Sequence, residues 1–416
     1  MINLKRKLVT AAATTAVLLN ALMPLAFADT TIEISGNGED SNNTTHVSAN
    51  NSTTVVQSNL STVINTVYSD ANTGKNDANR NTGGDVTINT GDAASTVDLS
   101  TKTNVNKADV NNCGGCDGDV KVLISGNGAD SDNKVGLKSS ADTSIYQNND
   151  ALVVNTVDSD ANTGKNDANR NTGGDVTIET GNATSDVDVW TAVNANVATV
   201  GGSGNGSIVD ARIVGNGEDS DNRIWLGLNS PVTVVQDNLA TILNTIYADA
   251  DTGKNDANRN TGGNVTIDTG DADVEVDVDN MANFNAADVD CDCLLGDIKA
   301  KISGNGADSE NKIKAKLSGD LNVFQGDQEG AGNDAFLDTL VYGDADTGKN
   351  DADRNTGSVN GGDPEILTGD ADSNINVKNS ANANIFGSFE DFHLPGGINF
   401  DFHFDLNGLL GHIQLG

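Results

Sequence analysis

Every second residue from Val234 to Ile246 belongs to one set: Val234, Gln236, Asn238, Ala240, Ile242, Asn244 and Ile246. A two-residue beat of this length predicts a β-strand, because successive side chains of a strand point to opposite faces. One face is held constant and carries amides, while the other varies. The same beat passes through Gln57 and Gln147, and Gln325 marks its fourth appearance. A second alternating segment follows each time, with Val86, Ile88, Val97 and Leu99 in the first instance. Its later copies are Val176, Ile178, Val187, Val189 and Val265, Ile267, Val276, Val278. Between such segments lie corners such as Gly126-Asn127-Gly128, where glycine and asparagine accept positive backbone torsion at low cost.

The segment Thr73 to Gly84, TGKNDANRNTGG, recurs unchanged at Thr163 to Gly174 and Thr252 to Gly263, and with drift at Thr347 to Gly357. Self-similarity at a fixed period is the mark of a repeat architecture. The reading is an all-β chain, a parallel β-solenoid (β-helix) built from four repeats of about 90 residues. Its divisions are a signal peptide (1–28), repeats at 29–121, 122–210 and 211–299, a divergent capping repeat at 300–385, and a Phe/His-rich tail at 386–416. Buried amides need partners. Stacked coils provide them as ladders, here assigned to Gln57, Asn59, Asn65, Gln147, Asn149, Asn155, Gln236, Asn238, Asn244 and Gln325. Coils of about 22 residues would stack into a rod of roughly 85 Å. The competing reading is a half-buried antiparallel strand whose amides face water.

Two runs carry a family resemblance: Gln147-x-Asn149-x-Ala151-x-Val153-x-Asn155 and Ile124-x-Gly126-x-Gly128-x-x-Ser131-x-Asn133-x-Val135. They resemble the repeats of curlins, secreted bacterial proteins that coil into β-solenoids and polymerise as extracellular fibres. The likeness covers half of each repeat, and this chain has one such glutamine per repeat. What the resemblance implies is a coiled fold and an extracellular fibre.

Composition narrows the chemistry. Lys5, Arg6 and Lys7 precede an apolar run from Leu8 to Leu25, and Ala26-Phe27-Ala28 supplies a small-x-small cleavage pattern, so export is expected. No transmembrane segment is expected in the mature chain. A formal charge of -36 repels nucleic acid and attracts cations. Calcium, which takes six to eight oxygen ligands, is the candidate cofactor. Its candidate ligands are Asp70, Asn72, Asn76, Asp77 and Asn79; Asp160, Asn162, Asn166, Asp167 and Asn169; Asp249, Asp251, Asn255, Asp256 and Asn258; and Asp344, Asp346, Asn350, Asp351 and Asp353. An EF-hand is excluded, since Lys75 and Asn81 stand where it needs glycine and glutamate. The same residues also suit corners, with Asn and Asp bonding their own backbone. Lys75, Lys165, Lys254, Lys349 and Arg80, Arg170, Arg259, Arg354 return beside these acids, as loop salt bridges or as a line of sites for an anionic glycan.

Cys113 with Cys116, and Cys291 with Cys293, point to local disulfides in an exported chain. Zinc would need four ligands drawn from two distant pairs, and intermolecular bridging is the remaining alternative. In the tail, Phe400, Phe402 and Phe404 alternate between Ile398 and Leu406, as an end-closing or a partner-pairing strand. His393, His403 and His412 have no metal spacing. Catalytic motifs are missing, so the expectation is a non-enzyme. The function expected is a secreted cell-surface or extracellular-fibre protein serving as scaffold, adhesin or matrix subunit, with self-association or a glycan or cell-surface target. A calcium-stiffened tandem β-sandwich adhesin stalk is the alternative, and a polysaccharide-active β-helix enzyme the third.

Overall fold

A computed structural model describes residues 30–110, 119–201, 208–289, 298–326, 332–357 and 363–387. The leader, Cys113, Cys116, Cys291, Cys293 and the Phe/His tail from 388 onward lie outside the described residues. All the described regular structure is strand. The first repeat forms β1 (Thr30–Ser35), β2 (Asn42–Asn72), β3 (Val86–Asn89) and β4 (Ala93–Val110). The second forms β5 (Val120–Ser125), β6 (Asp132–Asn162), β7 (Val176–Glu179) and β8 (Ala183–Val200). In the third, β9 (Val209–Val214), β10 (Asp221–Asn229), β11 (Val232–Asp251), β12 (Val265–Asp268) and β13 (Ala272–Val289) follow the same course. Pro231 separates β10 from β11, as expected of a residue without an N–H to give the ladder. The fourth holds β14 (Ile298–Ser303), β15 (Glu310–Ser318), β16 (Leu321–Gln325), β17 (Asn333–Asp346), β18 (Glu365–Leu367) and β19 (Ala371–Phe386).

Every strand pairs in parallel with its own copy in the adjoining repeat, in the order β1-β5-β9-β14, β3-β7-β12-β18 and β4-β8-β13-β19, with β2, β6, β10, β11, β15, β16 and β17 making the fourth sheet. Gln57 lies beside Gln147, Gln147 beside Gln236, and Gln236 beside Gln325. The pairing offset is thus a whole repeat, and the expected coil of about 22 residues is wrong. Each repeat is one layer, and four layers stack. At about 4.8 Å per layer the outermost backbones are only about 15 Å apart, while β2 alone runs to about 100 Å. The 85 Å rod is accordingly replaced by a thin slab. Antiparallel modules are excluded for the same reason, since the sheets cross every boundary between repeats. In the fourth layer the offset grows from 89 residues at Gln325 to 95 at Asn333 and 99 at Ala371, so its insertions fall between strands and leave the register intact.

Within a layer the chain runs out along β2, turns through the Thr73–Gly84 segment and β3, and returns along β4, so the two long sheets face each other. Apolar columns and amide columns alternate in the space between. Val67, Val97 and Leu99 belong to one cluster with Val157, Val187, Ile246 and Val276; Val55, Ile145, Ala198 and Val234 belong to another. Between them Gln147 Nε2 donates to Gln57 Oε1 (2.7 Å), Gln236 Nε2 to Gln147 Oε1 (2.8 Å) and Gln325 Nε2 to Gln236 Oε1 (2.8 Å). The second N–H of each crosses to the facing sheet, at Lys107, Val197, Ala286 and Ile385 carbonyls. Asn59 donates to Asn149 (3.0 Å), Asn149 to Asn238 (3.0 Å), Asn65 to Asn155 (2.8 Å) and Asn155 to Asn244 (2.8 Å). A primary amide presents both donor and acceptor, so it can satisfy identical groups above and below.

The layers touch most closely where the Thr73–Gly84 segment opens. A Cβ on Gly164 would lie 2.0 Å from the Gly253 carbonyl oxygen, and one on Gly74 equally near that of Gly164. Glycine is required there by the layer above. Gly348, in the last layer, would meet nothing nearer than Asp346 Oδ1 at 3.5 Å. Gly164→Ala is therefore expected to lower the chemical-denaturation midpoint by an amount equivalent to about 3 kcal/mol, and Gly348→Ala to change it by less than about 1 kcal/mol. Equal effects would contradict the stacking register.

Candidate functional site

The recurring Thr73–Gly84 segment is the place where charged and polar side chains gather at one end of every layer. It is held without regular strand. Lys75 N donates to the Gly164 carbonyl, Ala78 N to Asp167 and Arg80 N to Asn169, each at 2.7–2.9 Å, and the next two layers repeat this. Isolated bridges join Asp77, Asp167, Asp256 and Asp351 into one column and Thr82, Thr172, Thr261 and Thr356 into another. Thr73, Thr163 and Thr252 hydroxyls tie the segment to the carbonyls of Gly91, Gly181 and Gly270. The backbone turns at Lys75 and Arg80, which have φ of 63° and 64°, and at their equivalents in all layers. For side chains other than glycine, asparagine and aspartate this left-handed conformation costs about 1–2 kcal/mol per residue.

Each candidate calcium residue stacks on its own equivalent in the adjoining layer. Asn76, Asn166, Asn255 and Asn350 form an amide ladder with bonds of 2.8–2.9 Å, and each also reaches back to a threonine carbonyl three residues earlier. Asn79 bonds Asp77, and its Oδ1 receives the Asn169 N–H; Asn169 in turn receives that of Asn258, and Asn258 that of Asp353. The column Asn72, Asn162, Asp251, Asp346 changes from amide to acid halfway. Asp251 has no exposed side-chain surface and is neutralised from two layers, by Lys165 at 3.0 Å and Lys254 at 2.6 Å. Lys254 also reaches Asp346 (3.4 Å), which Lys349 holds at 2.6 Å. Burial alone would raise the Asp346 carboxyl, but the Lys349 and Gly348 hydrogen bonds together with Lys254 draw it below its ordinary value.

Beside it stands a column with no amide relief: Asp70, Asp160, Asp249 and Asp344. Burial pushes Asp160 up, and Asp70 adds to the shift; burial followed by Asp160 and Asp251 does the same to Asp249. Asp160 Oδ1, Asn162 Oδ1 and Asp249 Oδ1 are buried without a hydrogen-bond partner. Among the described residues no three His, Cys, Asp or Glu side chains converge on one point. Asp167 and Asp256 are likewise raised, by burial first and then by the aspartates stacked on them.

Two features escaped the sequence reading. Asn104, Asn194, Asn283 and Asn382 sit at φ near +60°, skipped by the ladder register, and each of the first three donates to the next at 3.0–3.1 Å. The neighbouring Asn106, Asn196, Asn285 and Asn384 do so at 2.9–3.0 Å. The signal was an Asn-x-Asn pair at the same place in each repeat. No protein-family model, curated protein or solved structure matches the chain.

The acid column sets a pH dependence. A carboxyl raised in the folded state binds its proton more tightly folded than unfolded, so stability falls as pH rises through the raised pKa. With calcium chelated, the thermal midpoint is expected to rise on acidification from pH 7 towards the ordinary aspartate range near about 4. Asp249→Asn should raise the midpoint at pH 7 and flatten this slope. A midpoint that instead falls steadily from pH 7, in both proteins, would contradict the assignment.

Proposed function

We propose that the chain is a secreted structural repeat protein, a β-solenoid with one repeat per coil, which serves as the subunit of an extracellular layered scaffold or fibre. The observation that carries this reading is the open end of the stack. Inward-facing residues that the third layer buries are uncovered in the fourth: Ile224 is 1% exposed and Ile313 46%, Val276 0% and Ile375 42%. Ile366 and Val377, stacked on the buried Ile267 and Val278, are open in the same way.

The polarity of the ladders supports continuation by a second copy. Asparagine amides donate from each layer to the next, so the fourth layer presents donors. In the first, Asn106 Oδ1 accepts from Asn59 within its layer, whereas Asn196 Oδ1 accepts from both Asn149 and Asn106. The first layer of one molecule placed on the fourth of another extends the Gln57, Asn59, Asn76, Asn104 and Asn106 columns with the same amide-on-amide contact, since the fourth layer ends them in Gln325, Asn333, Asn350, Asn382 and Asn384. Export fits the basic and apolar leader read in the sequence, and the curlin-like runs agree with a fibre. Electron microscopy and fibre diffraction of the purified chain test this. Assemblies elongated along the stack with a reflection near about 4.8 Å are expected; single slabs at every concentration would overturn it.

A second reading, a calcium ion bound between layers, is favoured by the orphaned oxygens. Asp160, Asn162 and Asp249 would hold it, and it would add positive charge where burial and neighbouring carboxylates outweigh the nearby lysines. Adding calcium to chelator-treated protein is expected to raise the thermal midpoint of the wild type by several degrees and to leave Asp249→Asn unmoved. No shift in either protein removes calcium from the reading.

A further inference from the structure

Arginine is an unfavourable residue for the position it occupies at Arg80, Arg170, Arg259 and Arg354. All four have φ between 57° and 64°, where glycine or asparagine would be less strained. Other left-handed columns justify their side chains internally: the Asn104 column forms an amide ladder, and Lys254 and Lys349 hold Asp251 and Asp346. The arginine column differs. Arg354 meets Asp353 at 3.2 Å, but Arg80, Arg170 and Arg259 have no ion-pair partner among the described residues. They are exposed along a groove of about 680 Å³ that Asp77 and Asp351 also line. Those carboxylates are engaged by asparagines, Asp77 by Asn79 and Asp351 by Asn258 at 3.2 Å.

The outer face of the β4-β8-β13-β19 sheet has the opposite character. Asp98, Asp188 and Asp277 stack in one column, one per layer, and Asp186 and Glu275 stack in the next. None of the five has an ion pair among the described residues. In the fourth layer both columns lose their charge, to Asn376 and Asn374. Unpaired arginines therefore occupy layers one to three, and unpaired acids occupy layers one to three; both sets lapse in layer four.

We infer that this chain associates side by side with a second copy, the Arg80, Arg170 and Arg259 column of one molecule seating on the Asp98, Asp188 and Asp277 column of its neighbour. Stacking supplies the fit. Both columns carry one group per layer, so two molecules with parallel stack axes bring three guanidinium–carboxylate pairs into register at once. Such pairs are bidentate and directional. The two columns lie on different parts of each molecule, so the contact is heterologous and leaves a free column of each kind to propagate a lateral array. Burial, followed by Asp186, Asp277 and Asp98, holds the Asp188 carboxyl above its ordinary value, and an arriving guanidinium relieves that repulsion.

The inference rests on the scaffold reading and adds a second direction to it. End-on stacking buries amides and apolar side chains and is insensitive to salt, whereas exposed charge pairs are screened within about 8–10 Å at moderate ionic strength. Sedimentation velocity of the full chain from about 50 mM to about 500 mM NaCl separates the two. The triple variants Arg80→Gln/Arg170→Gln/Arg259→Gln and Asp98→Asn/Asp188→Asn/Asp277→Asn are each expected to weaken the salt-sensitive association about tenfold or more, while any salt-resistant stacking persists. Mixed together they should form salt-sensitive pairs, because one retains the acids and the other the arginines. A melting midpoint no lower than that of the wild type checks folding of the variants, and the triple Arg→Lys variant, which keeps charge but loses the bidentate fork, should fall between. Wild-type association that does not respond to salt, a glutamine variant that associates like wild type, or a mixture no better than its components would overturn the inference and leave the stacking reading standing.

Discussion

In-register parallel stacking is the constraint on which everything else in this protein depends. Each side chain meets its own copy one strand spacing, about 4.8 Å, above and below. Whether that meeting is favourable is decided by the group itself. Aliphatic columns bury cooperatively; asparagine columns donate to the layer above, and the glutamine column donates to the layer below. Carboxylate and guanidinium columns repel themselves. This sorts the chemistry of the whole molecule: Gln147, Asn149 and Asn155 are interior, whereas the Arg80 and Asp98 columns are confined to the surface. Among the described residues the one fully buried acid is Asp251, and lysines from two layers interleave with it.

The same constraint accounts for the strained backbone. A flat layer of about 90 residues must turn corners without leaving its plane, and every turn must be made identically four times. Left-handed residues recur in columns, at Asp40, Lys75, Arg80 and Asn104 and their equivalents. Asparagine and aspartate enter that region at little cost, and their side chains can bond locally. Lysine and arginine do not, so their recurrence calls for a reason in the side chain. For Lys165, Lys254 and Lys349 it is found inside the stack. Arg80, Arg170 and Arg259 have no such ion pair among the described residues, and the proposed lateral contact would supply one.

The two-residue beat assigned faces to residues correctly in principle because strand geometry alternates regardless of fold, so Val234, Ile242 and Ile246 read as one face without coordinates. The recurrence of TGKNDANRNTGG likewise exposed the four copies. Partner and distance were hidden. A period of two is equally compatible with a short coil and with a layer of an entire repeat, and only the hydrogen-bond register distinguishes them. Asn104 was missed for a related reason: a left-handed residue breaks the alternation at that point, so the pattern that reveals strands conceals the bulge within them.

By itself, then, the sequence determined strand, repeat number and the polar make-up of one strand face, since these follow from local geometry and from identity among copies. Tertiary structure alone decided that a layer takes a whole repeat, that Asp70, Asp160 and Asp249 are brought into mutual repulsion, and that three arginines and three acids share the same three layers. Those are relations between residues about 90 positions apart or more, and only the packing of one layer on another creates them.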